Sequence, residues 1–381
     1  MIQIYSNSLG KEELNAIEKV FDSKWLGKGP KTEEFIADIS RKIITANFEG
    51  MGFTTATDKN FITTTCCTEG IFQIMDLLDI KEGDEIILPS VSFVGVANAI
   101  MYKNAKPVFC DVDKHTLNPT VKDIEEKITS KTKAVIVIHY AGVPCDIKNI
   151  TNLCKEKNIK LIEDNANSPF SRYNNISTGT FGDLGVWSFD AMKILVTGDG
   201  GLIFSKNEEY INKLERLTYL GLETSSGLSS TIDKKWWEFE VSVAGRRSIT
   251  NDISSAIGIE QLKKVDGFLG RRKEIHEMYN SNLIDLDWIK LPSIPNHVTS
   301  SYYMYHVQVD NRDEFAKYLR EKEIYTTFRY YPLHWVDFYK SNEKLPNTDY
   351  AADHTLCLPL HQNLTNEEVN YIIDTIKKWK R

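Results

Sequence analysis

The sequence predicts an α/β protein. We expect a large domain, whose mostly parallel central sheet is flanked by helices, and a smaller C-terminal α+β domain. One observation behind this prediction is a series of short β-rich runs that alternate with stretches able to form helices. Such alternation gives right-handed crossovers and a parallel sheet buried on both faces. The other observation is a long helical pattern that starts near Asp252 and leads into a tail of mixed strand and helix character.

Five runs carry the strand prediction. They are Glu85–Pro89, Pro107–Val112, Ala134–Tyr140, Lys160–Asp164 and Gly185–Asp190. The helix-compatible stretches between the first four runs are Val91–Tyr102, Val121–Ile128 and Ile147–Lys157. Ligands of such sheets bind beyond the carboxyl ends of the strands. The residues that follow each run are therefore the first candidates for chemistry.

The C-terminal part of the chain begins with one long predicted helix. Its apolar residues recur at helical spacing and are Ala256, Ile259, Leu262, Val265 and Leu269. Beyond it lie a strand-like run at 302–309 and predicted helices at 312–322 and 365–379. We therefore divide the chain into residues 1–250, the N-terminal segment with the large domain, and residues 251–381, the linking helix with the small domain.

Composition argues against several classes of protein. The 381 residues include 46 Lys and Arg against 53 Asp and Glu, so the formal net charge of −7 disfavours a nucleic-acid-binding protein. No stretch approaches the roughly 20 apolar residues of a membrane span, and the N-terminus lacks the pattern of a signal peptide. The six cysteines and eight histidines show no spacing typical of a zinc site. We expect a cytoplasmic protein without a metal or a membrane partner.

Several residues that lie at or after the predicted strands suggest one cofactor. Pyridoxal phosphate needs a lysine amine for a Schiff base and a carboxylate beside its pyridine nitrogen. It also needs a flat apolar face against its ring, and hydroxyls with backbone amides at a helix start for its phosphate. Lys193, Asp164, Phe93 and the pair Thr68 and Ser188 could meet these needs in turn.

Five motifs resemble the DegT/StrS-type sugar aminotransferases in content, order and spacing. They are KEGDEIILPSVSFVGVANAI (81–100), CDVDKHTLNPT (110–120), HYAGVPCDI (139–147), IEDNANS (162–168) and GTFGDLGVWSFDAMKILVTGDGG (179–201). The resemblance extends from Ser23 to the LPLHQNLT run at 358–365 and thus covers nearly the whole chain. It implies the pyridoxal-phosphate fold type I of aspartate aminotransferase, with active sites shared across a homodimer. The large domain, 1–250, would then bind the cofactor.

The resemblance implies a role for each residue of the ring site. By position, Lys193 resembles the Schiff-base lysine, which also serves as the general base and acid that moves the proton in transamination. Asp164 resembles the partner of the pyridinium nitrogen, and Phe93 the aromatic residue that stacks on the ring. Asn167 falls where the family usually has Gln, near the ring hydroxyl.

The same resemblance implies a phosphate site. Thr68 and Ser188 correspond to phosphate ligands of the family, together with amides of the loop around Cys67. Most relatives have Gly where this chain has Cys67, so the tight turn that glycine permits is a point where this chain departs from the pattern.

Three arginines are candidates for anion binding. Many relatives have a Gly-x-Asn-x-Arg-type stretch whose Asn reaches the cofactor phosphate of the partner subunit, and here Arg247 falls at the Asn position. Because Arg binds anions in a bidentate manner, we expect Arg246 or Arg247 to hold the cofactor phosphate, a substrate phosphate or the donor carboxylate in the neighbouring site. Arg329 is another candidate for the donor carboxylate.

The implied reaction transfers an amino group from glutamate to a keto sugar, which we expect to be nucleotide-linked, and the cofactor alternates between pyridoxal and pyridoxamine phosphate. An aminotransferase for a small phosphorylated ketone is an alternative, which the Arg246–Arg247 pair would suit. A pyridoxamine-dependent sugar dehydratase is disfavoured because those members resemble this chain but have histidine in place of Lys193. A non-catalytic binding member is disfavoured by the intact Lys193 and Asp164, and a nicotinamide-dependent oxidoreductase by the lack of GxGxxG after an early strand.

Each of these residue types also has an ordinary structural use. An Asp after a strand can cap a helix, hydroxyl residues do the same, and a Phe is most often part of a core. An Arg is most often a surface charge. Trp236 and Trp237 could line a nucleotide or sugar site, or equally belong to the core or to a dimer interface.

Overall fold

The computed structural model describes residues 1–44, 57–223 and 239–380. Its strands are β1 Phe61–Thr64, β2 Glu85–Pro89, β3 Lys106–Cys110, β4 Thr132–Ile138, β5 Lys160–Asp164, β6 Arg172–Tyr173, β7 Ile176–Ser177, β8 Leu184–Ser188, β9 Gly201–Ser205, β10 Val298–Thr299, β11 Tyr305–Gln308 and β12 Thr355–Leu358. Its α-helices are α1 Lys11–Ser23, α2 Pro30–Ile44, α3 Cys67–Leu77, α4 Val94–Tyr102, α5 Val121–Glu125, α6 Ile147–Glu156, α7 Glu208–Thr218, α8 Asp252–Leu283, α9 Arg312–Glu321, α10 Pro346–His354 and α11 Asn366–Lys377.

A central sheet with the strand order β1-β9-β8-β5-β4-β2-β3 runs through the described part of the chain. Strands β3, β2, β4, β5 and β8 are mutually parallel, and β9 lies antiparallel between β8 and β1. Ile86, Ile87 and Leu88 in β2 are fully buried, as expected for a strand covered by helices on both faces. The predicted α/β class with a mostly parallel sheet is therefore confirmed.

The predicted strands agree closely with the observed ones. Strands β2 and β5 have the predicted bounds, whereas β3, β4 and β8 begin one or two residues earlier than predicted. Strands β1 and β9 were not predicted. The four- and five-residue segments 61–64 and 201–205 form strands by pairing with each other across a long sequence separation, with Phe61 opposite Phe204.

The C-terminal part is built on the long helix α8, which begins at Asp252, where the helical pattern of the sequence places it. Strands β11 and β12 pair in antiparallel fashion, and a shared apolar cluster packs them with the end of α8 and with α9 and α11. Ile2 at the N-terminus forms a parallel bridge with Ile324 and so joins this part of the molecule. The division at residues 250 and 251 stays a prediction.

The described residues include no candidate membrane span and no candidate metal cluster. Among them, no helix has the length and apolar character needed to cross a membrane. Within the same residues, no group of three or more His, Cys, Asp or Glu side chains is arranged to hold a metal ion.

Candidate functional site

A cavity of about 350 Å³ opens at the edge of the sheet where β5 and β8 end and α3 begins. Seven of the ten residues predicted to form the site line this cavity. They are Cys67, Thr68, Phe93, Asp164, Ser188, Lys193 and Arg329. The parallel strands bring these residues together because their carboxyl ends meet at one edge of the sheet.

Asp164 is the last residue of β5 and lies almost fully buried at the cavity, with 2% of its surface exposed. Its Oδ1 accepts a hydrogen bond from the backbone N–H of Ala166 at 2.9 Å. Burial raises the pKa of Asp164, although this hydrogen bond and the nearby Lys193 act in the opposite direction. A carboxylate in this position is stabilised by any cationic or N–H-bearing group that enters the cavity.

Lys193 lies in the loop between β8 and β9, where its N–H donates to the carbonyl of Asp190 at 2.9 Å. Its Nζ is 3.4 Å from the hydroxyl of Tyr303 and 4.9 Å from the centroid of that ring. Burial opposes the charged form, but the surrounding Tyr303, Tyr330, Cys67 and Asp164 outweigh it and raise the pKa of Lys193. The surroundings therefore favour the charged form of the Lys193 amine.

The loop before α3 forms its turn without glycine. Cys66, the N-cap residue, has extended backbone dihedrals of −161° and 165°, and its Sγ accepts from the N–H of Glu69 at 3.3 Å. Cys67 is the first residue of the helix, and neither cysteine has a positive φ. The departure of Cys67 from the family pattern therefore leaves the helix start intact, with Thr68 and Ser188 both at the cavity wall. A helix N-terminus with nearby hydroxyls is a suitable site for a phosphate.

Phe93 and Asn167 occupy different environments. Phe93 is the N-cap residue of α4 and has 48% of its surface exposed, so it is not a core residue, and its ring meets Tyr330 edge-on at 6.0 Å. Asn167 is fully buried and receives a hydrogen bond from the Tyr330 hydroxyl on its Oδ1 at 3.4 Å. Its Nδ2 has no hydrogen-bond partner among the residues that the structure describes.

The three predicted arginines fall in three different places. Arg329 lines the cavity. Arg246 is engaged within its own chain, since it lies 2.8 Å from Glu69 and 3.1 Å from Asp76 on α3. Arg247 is exposed at the surface, with its guanidinium 5.3 Å from the centroid of the Tyr219 ring. Neither Arg246 nor Arg247 belongs to the lining of the cavity of its own chain.

A buried carboxylate behind the site was not predicted. Glu163, next to Asp164 in β5, accepts from the N–H groups of Gly179 at 2.8 Å, Phe181 at 2.7 Å and Gly182 at 2.8 Å. Its Oε2 is also 3.2 Å from Nε2 of the fully buried His139. The N–H of Cys145 donates to Nδ1 of His139, so the imidazole proton is on Nε2 and points at Glu163. This network holds the loop before β8 against the strand that carries Asp164.

The chain was compared with known proteins. The model of the DegT/DnrJ/EryC1/StrS aminotransferase family matches residues 7–377. The chain belongs to this family. A relative from Saccharopolyspora spinosa, named dTDP-4-dehydro-2,3,6-trideoxy-D-glucose 4-aminotransferase, is 42% identical over 99% of this chain and 96% of its own.

Solved structures agree with this assignment. The aminotransferase TlmJ from Streptoalloteichus hindustanus is 44% identical, with a TM-score of 0.91 over 99% of this chain and 98% of its own. The pyridoxal-phosphate form of the sugar aminotransferase Spr1654 from Streptococcus pneumoniae shows the same fold at 24% identity, with a TM-score of 0.88 over 99% of this chain and 97% of its own. The predicted family and fold type are thus confirmed, and the protein is an aminotransferase of a family whose members depend on pyridoxal phosphate.

The residues around the aminotransferase cavity fit this cofactor. The cavity combines a lysine amine, a buried carboxyl group, a half-exposed aromatic ring, the hydroxyl of Thr68 at the start of α3 and the hydroxyl of Ser188 at the end of β8. The buried Asn167 Nδ2 without a partner is a further donor for an oxygen on the ring.

Three tyrosines of the site were missed from the sequence. Tyr330 lines the cavity, Tyr303 contacts the Lys193 amine, and Tyr5 contacts Arg329. Tyr330 directly follows Arg329 in the run FRYYPLH (328–334), so attention to the neighbours of Arg329 could have revealed it. Nothing in the local sequence around Tyr303 or Tyr5 indicates a role. Trp236 and Trp237, which were considered for a nucleotide or sugar site, lie outside the described residues.

Proposed function

We propose that this aminotransferase moves an amino group from glutamate to the keto group of a nucleotide-linked sugar. The observation that carries the proposal is that Lys193, Asp164 and the half-exposed Phe93 line one cavity. A sugar acceptor is supported by the 42% identical relative, whose name specifies a dTDP-linked 4-keto sugar.

Pyridoxal phosphate would be held by the residues already described. Lys193 would carry the covalent link, Asp164 would lie at the ring nitrogen, and Phe93 would cover one ring face. Asn167 would donate its unpartnered N–H to the ring hydroxyl. Thr68 and Ser188, at the start of α3 and the end of β8, would bind the phosphate. When bound, the cofactor supplies an electron sink beside the reacting carbon of the substrate.

The side chains of this chain divide the remaining work. When it is not linked to the cofactor, the Lys193 Nζ would move a proton to and from the substrate carbon. The same atom would serve both half-reactions. The Tyr303 hydroxyl, 3.4 Å from Nζ, limits the directions in which the amine can turn. The Asp164 carboxylate would hold a proton on the ring nitrogen of the cofactor, because burial makes a carboxylate without a cationic partner unfavourable.

Anion recognition is assigned to different arginines according to their surroundings. Arg329 would bind the carboxylate of the donor, since it lines the cavity and its side chain contacts the neutral Tyr5 hydroxyl and Met192 sulfur. Arg246 is less suited because Glu69 and Asp76 already balance its charge. Two further predictions are a homodimer and a cytoplasmic location. In the homodimer, the exposed Arg247 would reach the phosphate of the partner's site.

The first experiment is spectroscopic. Purified protein supplied with pyridoxal phosphate should be yellow, and its visible absorption should shift on addition of glutamate. Borohydride treatment before glutamate should attach the cofactor to the peptide that contains Lys193, as read by mass spectrometry. A label on Lys206, the matched buried lysine, would contradict the assignment of Lys193.

Variants separate the two central residues. Lys193→Ala should abolish turnover, and substantial residual amino transfer would overturn its role. Asp164→Ala should reduce the rate of amino transfer by at least about a hundredfold, because a ring nitrogen without a carboxylate partner loses its proton. A rate near that of the wild type would show that another group acts on the nitrogen. Turnover is measured with dTDP-4-dehydro-2,3,6-trideoxy-D-glucose as the acceptor. If glutamate shifts the absorption but this sugar accepts no amino group, the aminotransferase acts on a different ketone and the proposed acceptor is wrong.

A further inference from the structure

The guanidinium of Arg329 is held in the cavity by neutral groups. Its Nη2 donates to the hydroxyl of Tyr5 and lies 3.3 Å from the sulfur of Met192. The group is partly buried, and although burial acts to lower its pKa, nearby tyrosines and Cys357 raise it overall. Neither the Tyr5 hydroxyl nor the Met192 sulfur can neutralise the charge, so it stays available to an anion in the cavity.

Tyr5 contacts this guanidinium in two ways. The Arg329 Cζ lies 4.9 Å from the centroid of the Tyr5 ring, which is a cation–π distance, and the Tyr5 hydroxyl accepts from Nη2. The Tyr5 hydroxyl engages Nη2 alone, so the other N–H groups of the guanidinium stay available to an anion. Tyr5 therefore orients the Arg329 guanidinium while occupying only one of its terminal nitrogens.

The main chain fixes the position of Tyr5. The N–H of Ile2 donates to the carbonyl of Glu323 at 2.7 Å, and the N–H of Tyr325 donates to the carbonyl of Ile2 at 3.0 Å. Ile4 has only 6% of its surface exposed, and its carbonyl accepts from Leu360 at 3.3 Å. The first residues of the chain are thus a strand-like edge of the C-terminal part, and Tyr5 projects from a fixed backbone.

We propose that Tyr5 is a positioning residue for the amino donor: its ring and hydroxyl hold Arg329 in the orientation that binds a donor carboxylate. This inference rests on the proposed donor role of Arg329. It extends the active site to the N-terminal segment, 324 residues away from Arg329 in the sequence. Holding the arginine in place before the donor arrives lowers the entropy cost of binding.

The test compares the two half-reactions in the holoenzyme. Tyr5→Phe removes only the hydroxyl, Tyr5→Leu removes the ring as well, and Tyr371→Phe is the matched control on the exposed face of α11. Tyr5→Phe should raise the KM for glutamate and the inhibition constant of succinate by about three- to tenfold, and Tyr5→Leu by more, with kcat within about twofold. The KM of the pyridoxamine-phosphate form for dTDP-4-dehydro-2,3,6-trideoxy-D-glucose should not change, because Tyr5 acts only on binding of the donor. A general loss of folding would instead impair both half-reactions.

A double-mutant cycle with Arg329→Gln separates the two claims. If Tyr5 acts through Arg329, Tyr5→Phe should have no further effect on the glutamate KM once Arg329 is replaced. If Arg329→Gln raises that KM while both Tyr5 variants leave it and the succinate constant within about twofold of wild type, the positioning role is overturned and the donor role of Arg329 stands. If Arg329→Gln leaves the glutamate KM unchanged, the proposed donor role fails and this inference fails with it.

Discussion

Replacement of Glu163 by glutamine tests the structure that supports the site. The Oε1 of Glu163 accepts from the N–H groups of Phe181 and Gly182, and its Oε2 accepts from Gly179 and His139. Glutamine has a single carbonyl oxygen, so its NH₂ group must face two N–H donors whichever way the amide is turned. Glu163→Gln therefore leaves two buried donors without an acceptor.

The magnitude follows from this count. Each buried donor that loses its acceptor costs about 1–3 kcal/mol, so the two donors together should lower the free energy of unfolding by about 2–6 kcal/mol. Little rearrangement can relieve the strain. Gly179 has a φ of +85°, and an added Cβ at Gly185 would lie 2.1 Å from the Gly179 carbonyl oxygen, so the loop has little room to move.

Guanidinium-induced unfolding of the cofactor-free protein, followed by tryptophan fluorescence, measures this change. Glu156→Gln, at an exposed position in α6, is the control and should change the free energy of unfolding by less than about 0.5 kcal/mol. If Glu163→Gln lowers the free energy of unfolding by less than about 1 kcal/mol, the four hydrogen bonds to this carboxylate do not stabilise the loop as argued. Since successive strand residues face opposite sides of a sheet, the folded variant should still bind the cofactor at Asp164.

Two further predictions concern pH. Burial lowers the pKa of Lys206 to about 8 from 10.5, so its charge penalises the folded state below pH 8 and the penalty disappears toward pH 10.5. Lys206→Met should therefore raise the free energy of unfolding at pH 7 by up to about 3 kcal/mol, with Lys148→Met as the exposed control, and a stability loss would contradict this reasoning. Burial also lowers the pKa values of His276, His306 and His361 to about 4 from 6.5. The unfolded chain then binds more protons between pH 6.5 and 4, so stability measured by unfolding titrations should fall by up to about 4 kcal/mol per pH unit as the solution is acidified, and a flat profile would disprove it.

The sequence predicted the elements whose signals are local. Strands β2 and β5 and the start of α8 were placed correctly because β-branched runs, polar boundaries and helical spacing are read within a few residues. Strands β1 and β9 were missed because each is short and is stabilised by partners distant in the sequence, β1 by β9 and β9 by both β1 and β8. Glu163 was missed for the same reason, since its partners in the loop 179–182 become neighbours only when β5 and β8 pair.

By itself the sequence determined the aminotransferase family, the parallel sheet, and the lysine and aspartate at neighbouring strand ends, because these depend on motifs and on a rule for where strand ends meet. Only the tertiary structure decided how the arginines differ. Arg246 is paired with Glu69 and Asp76, whereas Arg329 lines the cavity and contacts Tyr5. Whether the charge of an arginine is balanced or available depends on its neighbours in space, which cannot be deduced from residue spacing along the chain.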